Sequence, residues 1–231
     1  MRAAVRMEWT KLRTDPATGW CALALIAGTV VASGFAEWTT YAHDCAPRPC
    51  TVDATRLSLS GLYVGQIGVV VLAILAISRE YETAMIRSTL AAHPRRFLIV
   101  IGKAGVIVAF VAVAAAITVA FVSVENRVIL PGRGFAQLPA GRAYAGSVLY
   151  LTAVAALSLG VGLVVRHTGA AIATTLGLLY VAPIAALFVT DPDWQDRIRR
   201  YAPMTAGLGW LTAYAAVVLV AGAVLFRYRD A

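Results

Sequence analysis

Long apolar runs separated by short charged segments dominate this chain. Charge-free stretches cover residues 16–36, 57–78, 104–124, 143–165, 168–190 and 201–226, with about 204–226 as the span expected within the last. Each reaches the roughly 20 residues that carry a helix across ~30 Å of hydrocarbon. Backbone groups in lipid must pair within their own segment, and the Ala, Val and Leu content suits helix. The pattern therefore predicts an all-α integral membrane protein with six transmembrane helices. Ahead of the first run, residues 1–15 carry Arg2, Arg6, Lys11 and Arg13. Val5, Trp9 and Leu12 share one helical face there, which predicts an amphipathic helix lying in the interface. A cleaved signal peptide ending near Gly34-Phe35-Ala36 fits less well. The uncharged run of 21 residues exceeds the usual signal core of about 7–15.

One polar break differs from the others. Between the second and third runs lies Ser78–Lys103, with Glu80 and Glu82 followed by Arg87, Arg95, Arg96 and Lys103. Glu80–Ala92 has good helix formers and no Gly, and Pro94 disfavours helix in the residue before it. Arg95 onward reads as the start of the next membrane helix. A short charged helix between two spans gives a soluble partner something to grip; the plainer reading is a solvated connector. With the N-terminus inside, Lys and Arg number twelve on the inner side and eight on the outer. The excess sits in residues 1–15 and 79–103, so both termini and the 79–103 segment are expected in the cytoplasm.

Composition removes several function classes. The 231 residues are 60% hydrophobic and 14% charged, against roughly 25% charged in a soluble domain. Residues 1–231 read as a single transmembrane domain, with nothing left for a soluble catalytic one. No phosphate-binding G-x-x-x-x-G-K occurs, because Phe97 stands where the first Gly before Gly102-Lys103 should be. H-E-x-x-H and G-x-S-x-G are also absent. His43, His93 and His167 fall in three separate loops and give no metal site. An enzyme is not expected, nor a cofactor or metal held by this chain. The net charge of +8 belongs to loops flanking apolar runs, a topology pattern that argues against nucleic acid. Arg outnumbers Lys 18 to 2, which fits a GC-rich bacterial source.

Within the six runs there is no Asp, Glu, Lys, Arg or His. Ion-coupled carriers keep an ionisable group at membrane depth, so its absence favours transport energised from outside the bilayer, or no transport at all. Neutral polar residues do occur, notably Tyr63 and Gln66 in the second run, Tyr150 in the fourth and Tyr180 in the fifth. They either line a substrate path or bond helix to helix. Gly61-x-x-x-Gly65 and Ser158-x-x-x-Gly162 allow close helix approach. In the first outer loop, Cys45 and Cys50 are a disulfide candidate in an oxidising exterior, the alternative being two thiols. In the last outer loop, Asp191 and Pro192 suit the start of a short interfacial helix.

The run E-Y-E-T-A-M-I-R-S-T-L-A-A-H-P-R-R, followed by Lys103, resembles the loop between spans two and three in type-2 ATP-binding-cassette transporter permeases. The matching positions are Glu82, Ile86, Arg87, Thr89, Leu90, Pro94, Arg95, Arg96 and Lys103. Thr83-Ala84-Met85 departs from that pattern, since Gly and Thr are usual there. Glu8-Trp9-Thr10-Lys11-Leu12-Arg13 is similar to the family's interfacial start. The resemblance implies the permease subunit of an ATP-driven exporter in a bacterial cytoplasmic membrane. It implies a second permease copy, identical or not, as partner, and a separate ATPase subunit that binds ATP and Mg. It further implies that the 80–92 segment forms a cytoplasmic coupling helix, with Glu80, Glu82, Arg87 and the Pro94-Arg95-Arg96 turn meeting that ATPase. The alternative is a non-transporting structural or regulatory membrane subunit.

Overall fold

The computed structural model describes residues 9–10, 14–42, 53–82, 96–129, 141–165, 167–189, 191, 193–194 and 207–229. Among them every regular element is helical. These are α1 (Pro16–Thr40), α2 (Ala54–Ser58), a 3₁₀ turn (Leu59–Gly61), α3 (Leu62–Glu82), α4 (Arg96–Ile129), α5 (Gly141–Val165), α6 (Thr168–Phe188) and α7 (Gly207–Arg229). Five helical stretches are long and apolar enough to cross a membrane: Pro16–Thr40, Ala54–Ser78, Ala104–Arg127, Gly141–Val165 and Thr168–Ala186. The protein thus has multi-pass membrane character. In α7 the apolar stretch Leu211–Gly222 is shorter.

Helix starts follow local chemistry. Asp15 caps α1 by accepting the Ala17 N–H at 3.1 Å, with Pro16 next to it where a missing N–H costs nothing. Asp53 caps α2 in the same way through the Thr55 N–H at 2.9 Å. His167 caps α6, its Nδ1 accepting the Ala170 N–H at 3.3 Å.

At the centre of the bundle is α5, which packs on α3, α4, α6 and α7. Its buried residues Leu151, Val154, Leu157 and Leu159 meet Val70, Ile74, Ile107 and Leu211 in one apolar core. Two seams let backbones come close. On one, a Cβ at Gly61 would overlap Thr29 and Ser33 of α1, one at Gly65 would overlap Thr29 and Leu25, and one at Gly68 would stand 2.9 Å from the Cys21 carbonyl. On the other, a Cβ at Gly160 would stand 2.8 Å from the Leu219 N of α7, and one at Gly222 2.9 Å from Leu163 Cβ. The Gly61/Gly65 pair thus sits in a real crossing. Gly162, by contrast, would have only ordinary contacts with Ile74.

Helix ends differ from the charge-free runs. α1 continues past Ala36 to Thr40, and α4 begins at Arg96 and continues past Val124 to Ile129. Of the amphipathic helix that the sequence predicts over 1–15, only Trp9, Thr10 and Thr14 are described as helical. Trp9 meets Phe110 of α4 edge-on, with ring centroids 6.4 Å apart.

Candidate functional site

The neutral polar residues singled out along the sequence converge halfway along the spans. Gln66 lies 12 residues from each end of the Ala54–Ser78 stretch and is 0% exposed. The Tyr150 hydroxyl, on α5, donates to Gln66 Oε1 at 2.6 Å. The Tyr180 hydroxyl, on α6, donates to the backbone carbonyl of Tyr63. One amide and two phenols therefore join α3, α5 and α6 in low-dielectric surroundings, where an unmet polar group is costly. The Tyr63 ring is not enclosed, being 47% exposed.

Other polar residues of the spans turn back on their own helices. Thr152, Ser158 and Thr175 donate to the carbonyls of Val148, Val154 and Ala171 at 2.7–2.8 Å. Such bonds satisfy a hydroxyl in lipid without requiring a neighbour.

A second polar group, which the hydropathy pattern does not single out, sits where α1, α2 and α4 meet. Glu37 is 1% exposed, and its Oε1 accepts the Ser58 hydroxyl at 2.6 Å. Ser33 donates to the Ser58 carbonyl at 2.5 Å, tying α1 to the end of α2. Glu125 lies against α1 one turn away: a Cβ on Gly34 would stand 2.7 Å from Glu125 Oε1. Beside it the Asn126 amide donates to the Tyr144 hydroxyl at 3.4 Å. Both carboxylates lie one residue beyond a charge-free run, where helix continues into the interface. The argument from missing ionisable groups therefore stops short of this end of the bundle. The signal present in the sequence is the i, i+4 spacing of Ser33 and Glu37.

Other expected site residues are placed only in part. Glu80 and Glu82 belong to the last turn of α3 and Arg96 is the first residue of α4, described by backbone alone. Arg87, Pro94, Arg95, Cys45 and Cys50 lie outside the described residues. Among the described residues no group of three or more His, Cys, Asp or Glu is placed to hold a metal. No protein-family model matches the chain, and no curated protein is significantly similar to it.

Proposed function

We propose that this chain is the membrane-spanning permease of an ATP-driven exporter of the type-2 ATP-binding-cassette class. It works with a second permease copy and separate ATPase subunits in a bacterial cytoplasmic membrane. One observation carries the reading, the charged motif from Glu80 to Lys103 between two apolar helices. The surrounding architecture is compatible with it. Two long helices, α3 ending at Glu82 and α4 starting at Arg96, flank the motif. In this reading α7 is the sixth span, residues 1–15 lie in the inner interface, and ATP and Mg are bound by the partner ATPase. Nucleotide-driven closure of the ATPases pushes on the 80–92 segment and shifts the helices that flank it. The cargo passes alongside Gln66, Tyr63, Tyr150 and Tyr180.

The second reading, a non-transporting structural or regulatory subunit, is favoured by the Gln66 network. Its amide is fully buried and bonded to Tyr150 of another helix, as interhelical glue would be.

Charge reversal separates the two. If Glu82 and Arg87 face an ATPase, Glu82→Lys or Arg87→Glu leaves a partner charge unpaired, costing about 2–5 kcal/mol of association. The expected result is normal abundance in the membrane, weak ATPase co-purification and lost export. A solvated connector would lose only ~0–1 kcal/mol per exposed pair. Undiminished ATPase binding in both variants would remove the permease reading.

A further inference from the structure

We infer that α6 is the movable helix of this bundle, latched to α3 at mid-membrane by Tyr180. Three observations point to the same helix. Along its apolar stretch 24% of residues are buried, against 61% in the stretches of α3 and α5. Helix α1 is as thinly covered, at 22%, but it is wedged into the glycines of α3 and tied by Ser33 to Ser58. Among the described residues no comparable seam holds α6, where a Cβ at Gly177 would meet nothing within 4 Å. Pro183 lies inside α6; it lacks the N–H that would bond the Leu179 carbonyl, which places a hinge within one turn of Tyr180.

What holds α6 to α3 at this depth is specific. The Tyr180 hydroxyl donates to the Tyr63 carbonyl, one turn along α3 from Gln66. Releasing Tyr180 opens the α3–α6 contact beside Gln66, which accepts the Tyr150 hydroxyl from α5. An amide reached at that depth would bond a polar group of a passing solute. That use of the motion rests on the transporter reading, whereas the motion belongs to the chain alone.

The test uses the full chain, with Cys21, Cys45 and Cys50 replaced by Ser, in lipid nanodiscs without any ATPase. Nitroxides are attached at Val31→Cys on α1 and Val181→Cys on α6, both outward-facing at 71% and 63% exposure. Pulsed electron resonance then reads the α1–α6 distance distribution. Tyr180→Phe keeps the ring and removes the latch. It should enlarge the displaced population between about threefold and about twentyfold, the range that interhelical hydrogen bonds in membranes span. Tyr150→Phe, which frees α5 and leaves the Tyr180–Tyr63 bond, should leave the distribution as it was. Pro183→Ala restores a backbone bond and should shrink the displaced population. Unchanged distances in Tyr180→Phe, or equal broadening in Tyr150→Phe, would overturn the latch and leave the ATPase-binding test untouched.

Discussion

At the residue scale, the polar atoms of this bundle matter more than their small number suggests. Glu37 is enclosed and needs donors, and Ser58 supplies one at 2.6 Å. Ser58→Ala removes that donor from a buried oxygen, so a loss of about 1–3 kcal/mol is expected. Glu37→Gln keeps an acceptor oxygen for Ser58, so it should stay close to wild type. Thermal unfolding in detergent distinguishes the two; a Ser58→Ala variant melting at the wild-type temperature would mean that the Ser58 bond contributes nothing. This pair also shows where sequence reading ends. Gln66, Tyr150 and Tyr180 stand out as polar residues inside apolar runs. Glu37 and Glu125 do not, because a charge marks the edge of hydrocarbon rather than the end of a helix. The backbone keeps its hydrogen-bond ladder well into the interface, where charged side chains are tolerated.

At the scale of elements, hydrophobic run length locates a span well and its ends poorly. The clearest case is α4, whose 34 residues make a rod of about 51 Å, well beyond a ~30 Å hydrocarbon layer. Its first eight residues, Arg96–Lys103, form a helical extension ahead of the charge-free run. Packing seams are half legible. Gly61-x-x-x-Gly65 is visible in sequence and lies at the α1 crossing, whereas the Gly160–Gly222 contact joins two distant runs and has no local signature. These seams can be tested with single methyl groups. Gly160→Ala would place its Cβ 2.8 Å from the backbone N of Leu219, and forced overpacking of this kind costs about 1–3 kcal/mol. Gly65→Ala should lose a similar amount, because it meets Thr29 and the Leu25 carbonyl at the α1 crossing. A methyl at Gly146 would meet nothing within 4 Å, so Gly146→Ala should be neutral or gain up to about 1 kcal/mol from helix propensity. If Gly146→Ala unfolded in denaturant as readily as Gly160→Ala, close approach would not be the reason for these glycines.

At the scale of the whole molecule, the contacts sort helix ends into two sets. The Glu37–Ser58 bond puts the end of α1 beside the start of the second span. The Asn126–Tyr144 bond puts the end of α4 beside the start of α5. Glu125 lies against Gly34, so both junctions share one end of the bundle. The opposite end then carries the close of α3 at Glu82, the start of α4 at Arg96 and the α5–α6 junction at His167. Under the proposed topology this second end faces the cytoplasm. That proposal rests on sequence: the segments 1–15 and 79–103 with Arg166 hold the larger share of Lys and Arg, and cytoplasmic segments are the richer ones. Two exposed glycines report on this without removing a charge: Gly141 at the start of α5 and Gly169 at the start of α6. In a chain stripped of native Cys, an impermeant maleimide should label Gly141→Cys in intact cells. Gly169→Cys should label only after permeabilisation. The reverse pattern would place the Glu80–Arg96 segment outside the cell, out of reach of any ATPase, and the coupling proposal would fall with it.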